Sequence, residues 1–224
     1  MNTSPSLDQM LVHTLPPAFV SALLDSLSGA YSGSYSAMMN DPALDEEEGR
    51  YVLGYLRRGR CETLFKRTAA RFGLSVTVIT PETGGCSHIQ ISNDKFKFSM
   101  CHVQVTAGFP VRSDNREQSS QINSYMPQSE LFPIDLSPTD KKLYGIFVHT
   151  EQPGNKGQFQ SVCIGFPNTN FDDWIYQPID LRDIRDTQAR HFQAQNDLHA
   201  AAQGNEPKFK ESQLVKFKKP DKKE

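Results

Sequence analysis

The chain has 224 residues, 37% of them hydrophobic, 22% charged and 10% aromatic, with a formal net charge of −2 and four cysteines. A body of this length buries enough apolar surface to fold without disulfides or a structural metal, and near-neutrality excludes a bulk nucleic-acid or membrane binder while leaving room for local charge clusters. No apolar run approaches the roughly 18 residues of a membrane helix, and the start, MNTSPSLDQMLVHTLPP, lacks the charged head and unbroken apolar stretch of a signal peptide. The expected location is therefore the cytoplasm, with Cys61, Cys86, Cys101 and Cys163 reduced.

Residues 1–15 read as a flexible N-terminus, residues 16–203 as a single domain and residues 204–224 as a Lys-rich flexible tail. Pro16-Pro17 opens a short helix with Phe19, Val20, Leu23, Leu24 and Leu27 as its apolar positions, and Gly29 with the Ser/Gly/Tyr run through Ser36 ends it. Asp41 is a candidate cap, Pro42 suits a first helical position, and Asp45, Glu46, Glu47 and Glu48 suit the positive end of a helix dipole. The helix that follows, whole or broken in two near Gly59, runs to Phe72 and stops at Gly73, with Tyr51, Val52, Tyr55, Leu56, Leu64, Phe65, Ala69 and Phe72 as its expected buried stripe.

Leu74 to Thr80 alternates and is β-branched, as a strand requires. CSHIQISNDKFKFSMCHVQV (86–105) reads as a hairpin about Asn93-Asp94. Pairing Ser92 with Lys95 puts Ile89, Ile91, Phe96, Phe98 and Met100 on one face and Cys86, His88, Gln90, Lys97, Ser99 and Cys101 on the other, with His102 on the apolar side. Ser113-Asp114 caps a short helix through Tyr125, with Glu117 completing a capping-box-like pattern. A Pro-rich connection follows, anchored by Leu131-Phe132. Leu143–Thr150 and Phe159–Phe166 form a second antiparallel pair, Trp174, Ile175, Tyr176 and Ile179 pack back on the sheet, and a last helix runs from Leu181 to Ala202 until Gly204. The expected class is α/β (α+β): a mainly antiparallel sheet of about five strands with helices packed on it.

Two sets of residues carry chemistry. His88, His149, Arg112 and Arg116 are the residue types of metal-independent RNA cleavage, where imidazoles move the 2′-hydroxyl proton and arginine stabilises the charged phosphorane. That reading requires His88 and His149 on the same side of the sheet, and the competing reading of each residue is an ordinary polar strand end or surface cation. Cys86, His88 and Cys101 are zinc-ligand types, but a closed site needs four ligands and no CxxC or HExxH supplies a fourth. No metal or cofactor is expected.

The second set is basic. Arg57, Arg60, Arg67 and Arg71 recur at helical spacing, enlarged by Arg58 and Lys66, and would form a stripe for phosphates or an acidic partner. The alternative is a solvated outer face. The tail EPKFKESQLVKFKKPDKKE places Lys216, Lys218 and Lys219 among Phe209, Leu214, Val215 and Phe217, as a segment that orders on a partner would. Phosphate-binding glycine loops, GxSxG elbows and Rossmann fingerprints are missing.

LYGIFVHTE (143–151), QSVCIGFPN (160–168) and DDWIYQPIDL (172–181), with the earlier GGCSHIQI and KFKFSMCHV, resemble a largely uncharacterised bacterial family often encoded beside small helix-turn-helix regulators. The resemblance spans roughly residues 45 to 182. It implies a toxin–antitoxin or phage-related setting and carries over no functional residue. The expected function is an interaction protein in a complex with a protein or nucleic-acid partner, with an RNA nuclease-type effector as the alternative. Neither enzymatic activity nor oligomeric state is legible.

Overall fold

Ser6 and Gln9 start the first helix of the chain, whose computed structural model describes residues 6–80, 86–125 and 142–202. The two side chains form a reciprocal capping box, Gln9 N–H donating to Ser6 Oγ (3.3 Å) and Ser6 N–H to Gln9 Oε1 (3.1 Å). The helix, α1 (Leu7–Thr14), buries Leu7, Met10, Leu11 and Val12 in the main core. The expectation of a flexible segment through residue 15 is thus corrected for these residues, because an S-x-x-Q box precedes an apolar stripe.

Helix α2 (Pro17–Met39) has proline in its first turn and continues past Gly29, Gly33 and Ser36, where a stop is expected. Tertiary packing overrides local propensity here. Ala30, Tyr31 and Ser34 are buried, and Ser34 Oγ turns back to donate to the Ala30 carbonyl at 2.7 Å. Helix α3 (Glu46–Arg71) is capped by Asp45, whose carboxylate accepts from Glu47 N and Glu48 N. Asp41 instead holds a turn ahead of the helix by accepting from Ala43 N at 3.0 Å. Gly59 does not break α3, and Gly73 ends it in the left-handed region at φ +79°.

The sheet has six strands in the order β1 (Ser75–Ile79), β2 (His88–Ser92), β3 (Phe96–His102), β4 (Leu143–Gln152), β5 (Asn155–Gly165) and β6 (Ile179–Asp180). All neighbours are antiparallel except β3 and β4, so the fold is α+β with a mixed, mostly antiparallel sheet. The β2–β3 turn sits at Asp94-Lys95, one residue later than expected. Asn93 carries it: its side-chain oxygen accepts from Lys95 N (3.0 Å) and Phe96 N (2.7 Å), and Asn93 N donates to the Phe96 carbonyl. Cross-strand partners therefore shift by two, giving Gln90↔Ser99 and Ile91↔Phe98, and a shift of two leaves every side chain on its expected face.

Strand β4 is buried on both faces. Phe98, Phe147, Val162, Ile164 and Phe166 pack with α1, α2 and α3 in the main core. Tyr144, Ile146, Val148 and Cys163 pack beneath Phe171, Phe109 and Trp174 in a smaller one. A Cβ on Gly165 would come within 2.6 Å of the Trp174 ring, so that glycine is what lets the indole lie on the sheet. On this second face α4 (Asp114–Ser120) leads into a 3₁₀ turn (Gln121–Tyr125), where Asn123 bonds both Tyr144 main-chain groups.

Helix α5 spans Leu181–Ala202. The chain divides into two units, Met1–Gln188 and Ala189–Glu224; the described part of the second is the remainder of α5, with Phe192 and Leu198 exposed. Leu131-Phe132, Gly204 and the lysine-rich tail lie outside the described residues. Among those described, no single helix is long and apolar enough to cross a membrane.

Candidate functional site

Helix α3 decides how the basic residues are used. Leu53, Arg57, Cys61, Phe65 and Thr68 recur every three or four residues and are all buried. Turning this stripe inward leaves Tyr51 and Tyr55 72% and 74% exposed, which corrects their expected place in the core. The same rotation removes Arg57 from the outer stripe.

A buried guanidinium must be paired and hydrogen-bonded to survive desolvation. Arg57 meets that demand across the fold: Nη1 lies 2.5 Å from Glu151 Oε2, Nη2 donates to the Lys156 carbonyl at 2.7 Å, and the guanidinium sits 4.4 Å from the Tyr31 ring centroid. The β4–β5 hairpin supplies both acceptors. It is longer than expected, turning at Gly154 (φ +76°) rather than leaving Glu151–Gln158 as a loop.

The network continues to His149. Burial, with the nearby Cys61 thiol, raises the Tyr31 hydroxyl far above its usual range, so it stays protonated. The hydroxyl and His149 Nδ1 share a hydrogen bond at 2.7 Å, whose direction is set by the imidazole tautomer. Burial first, and then the charges of His102 and Arg57, push His149 down to about 3. At neutral pH this histidine is an uncharged, positioned group and not a proton shuttle. His102, its register partner on β3, stacks edge-on with ring centroids 5.6 Å apart.

His88 faces the other way. It shares its side of the sheet with Gln90, whose amide donates to Ser119 of α4 at 3.1 Å, whereas His149 bonds Tyr31 of α2. The two histidines are thus on opposite faces. Arg112 turns to Glu117, its Nε 2.9 Å from Oε2, and lines neither neighbouring cavity. Glu117 is thereby diverted from the expected capping box, and Ser113 makes no side-chain cap. The four residues of the RNA-cleavage reading do not form one catalytic face.

Two small cavities nevertheless adjoin at the ends of β2 and β3. One, of about 280 Å³, holds His88, Ser113 and Cys86; the other, of about 270 Å³, holds His149, His102 and Cys101. Both are lined by Arg58, Glu62, Met100 and Arg116. Arg58 is ion-paired to Glu62 at 3.1 Å, and Arg116 donates to the Val111 carbonyl at 2.8 Å. Among the described residues no group of three or more histidine, cysteine or acidic side chains is placed to hold a metal ion.

On the outward side of α3 a third, open groove of about 690 Å³ runs against α2. Val52, Tyr55, Leu56 and Leu64 line it with Arg60 and Arg67. Arg71 lies at the end of α3, its guanidinium 5.3 Å from the Phe72 ring centroid. Sequence reasoning missed Arg58 and Glu62 as cavity groups and the exposed tyrosines as a surface. The Leu53-Arg57-Cys61-Phe65 spacing was a usable signal, hidden by the charge in its middle.

Comparison with protein-family models, with curated proteins and with solved structures gave no match.

Proposed function

We propose that this is a cytoplasmic interaction protein that receives an acidic, amphipathic segment of a partner protein on its α2–α3 face, in the setting of a toxin–antitoxin or phage-related locus. The observation that carries this reading is the uncovered apolar side of α3, where Tyr51 and Tyr55 stand 72% and 74% exposed beside a groove of about 690 Å³. Contiguous exposed apolar surface rimmed by polar groups marks a docking site, and tyrosine and arginine are the residues that dominate binding energy at such sites. Arg60 and Arg67 take part in no ion pair among the described residues, so the complementary segment is acidic.

Two glycines support the reading. Gly29 and Gly59 line the groove from mid-helix positions, where glycine costs about 1 kcal/mol relative to alanine. A Cβ at either would meet no atom within 4 Å, so internal packing does not require them. They keep the groove floor low. The floor of Val52, Leu56 and Leu64 offers apolar contact and no partners for base edges, which favours protein over nucleic acid.

Fluorescence anisotropy tests this with three labelled probes: an acidic amphipathic helical peptide, a basic peptide with the same apolar face, and a short single-stranded RNA. The acidic peptide is expected to bind, and Tyr55→Ser and Gly59→Leu are each expected to weaken it at least tenfold. Preference for the RNA, or acidic-peptide binding that neither substitution changes, rejects the proposal.

A further inference from the structure

The ladder between β2 and β3 is shorter than either strand. Its register ends at Gln90↔Ser99. Beyond that point β2 continues to His88 on the strength of its other neighbour, with Ile79↔His88, and β3 continues to His102 beside β4, with His102↔His149. Each strand end is held from outside, so a gap opens between them where a His88–Cys101 pair would otherwise close the sheet. Helix α3 borders this gap with Arg58 and Glu62, and the start of α4 with Ser113, Asn115 and Arg116.

Four features of the gap point to one kind of ligand. His88 Nε2 is buried and has no hydrogen-bond partner among the described residues, an expensive state for a polar atom. Arg116 donates to the neutral Val111 carbonyl, and no carboxylate pairs with it among the described residues. Arg58 donates to the Ser87 carbonyl at 3.3 Å and is only partly offset by Glu62. The Ser113 hydroxyl caps nothing. Two guanidiniums against one carboxylate leave a net positive cavity of about 280 Å³, with donors converging from three elements.

A carboxylate ligand brings two acceptor oxygens and a single negative charge against two guanidiniums. A tetrahedral dianion has enough acceptor oxygens for all four donors, and guanidinium forks match its geometry. The volume falls just below that of pockets enclosing drug-sized ligands, so the organic remainder is small or projects outward.

We propose that the gap between the ends of β2 and β3 binds a phosphate group, free or as a monoester, with Arg116 and Arg58 as its cations and His88 Nε2–H and the Ser113 hydroxyl as its neutral donors. This site is independent of the α2–α3 docking face. It also couples to protons. The titratable and charged groups that share the cavity with His88 are Arg58 and Glu62 from α3, Arg116 from α4, and Cys86 just ahead of β2. Burial, then Arg116, then Arg58, hold the imidazole below its ordinary range. An anion between these cations removes part of that suppression, so binding raises the proton affinity of His88.

The test is a histidine-ring NMR titration of the full chain at low salt with inorganic phosphate, uridine 5′-monophosphate and uridine. Both phosphates are expected to shift the His88 resonances and raise its titration midpoint, with His149 unmoved and uridine silent. Tighter binding of uridine 5′-monophosphate identifies a nucleoside-borne phosphate, and equal or weaker binding the free anion. Arg116→Gln is expected to weaken binding at least tenfold and Arg112→Gln, whose side chain lies outside the cavity, to leave it unchanged. Circular dichroism checks that each variant is folded; Arg58→Gln, which keeps the His88 probe, takes the place of Arg116→Gln if the latter is not. A His88 ring that does not respond, or equal losses in Arg112→Gln and Arg116→Gln, overturns the proposal.

Discussion

His149 and His88 occupy comparable places, each near the end of a strand beside an arginine-bearing helix, yet their surroundings are opposite. His149 is buried, holds Tyr31 through Nδ1 and belongs to a chain of contacts running through Arg57 to Glu151 and Lys156. His88 stands in a gap with Nε2 unpartnered and two guanidiniums close by. The first arrangement ties α2, α3 and the β4–β5 hairpin together and uses both terminal nitrogens of Arg57, with only Arg57 Nε left buried and unpartnered. The second has donors and charge in excess of what the fold consumes. Residue type is the same in both; spare bonding capacity separates a structural histidine from a candidate ligand-binding one.

The comparison breaks most visibly at Arg57. Arg57→Ala leaves Glu151 without its cation and removes the cover from Tyr31; loss of one partner of such a largely buried pair costs about 3 kcal/mol, read as a lower denaturant midpoint in chemical unfolding. Equal stability would mean that the contacts around His149 do not hold the hairpin to the helices. Acid sharpens the contrast next. The folded-state value of His149 is lowered, so as pH drops below about 6.5 the unfolded chain gains a proton that the native state refuses until about 3. Its contribution to stability is complete above that upper value and shrinks as pH falls through the window, with a slope of at most ~1.4 kcal/mol per pH unit. His149→Gln should flatten stability against pH there, and an unchanged profile would show that His149 is not the responsible group. The smallest effect belongs to His88. Because its Nε2 makes no bond within the fold, His88→Gln should change stability by less than about 1 kcal/mol. A larger loss in thermal unfolding would move His88 into the structural class.

Much of the fold was legible from local rules. Gly73 ends α3 and Leu181–Ala202 is helical, because each signal acts within a turn or two of the residue that sends it, whereas the cap of α3 is Asp45 and not the expected Asp41. The hairpin's faces were legible for a different reason: alternation has a period of two, so a turn displaced by one residue shifts partners and preserves sides. The site was less legible. His88 with Arg116, and Arg60 with Arg67, do share cavities. His149 and Arg57 belong instead to an internal network, and Arg112 pairs with Glu117. Lys216, Lys218 and Lys219 lie outside the described residues.

What the sequence by itself determined about this protein is local: helix ends, strand alternation, and the separation of Ile89, Ile91 and Phe98 from His88, Gln90 and Ser99. Tertiary structure decided which stripe of α3 faces inward. Both stripes carry apolar residues, and the choice depends on Glu151 and the Lys156 carbonyl, which lie 94 and 99 positions along the chain from Arg57 and make its burial tolerable. It also decided that the sheet splits beyond Gln90 and Ser99, since His88 is held by β1 and His102 by β4. Both outcomes rest on long-range pairing energies that no local window contains.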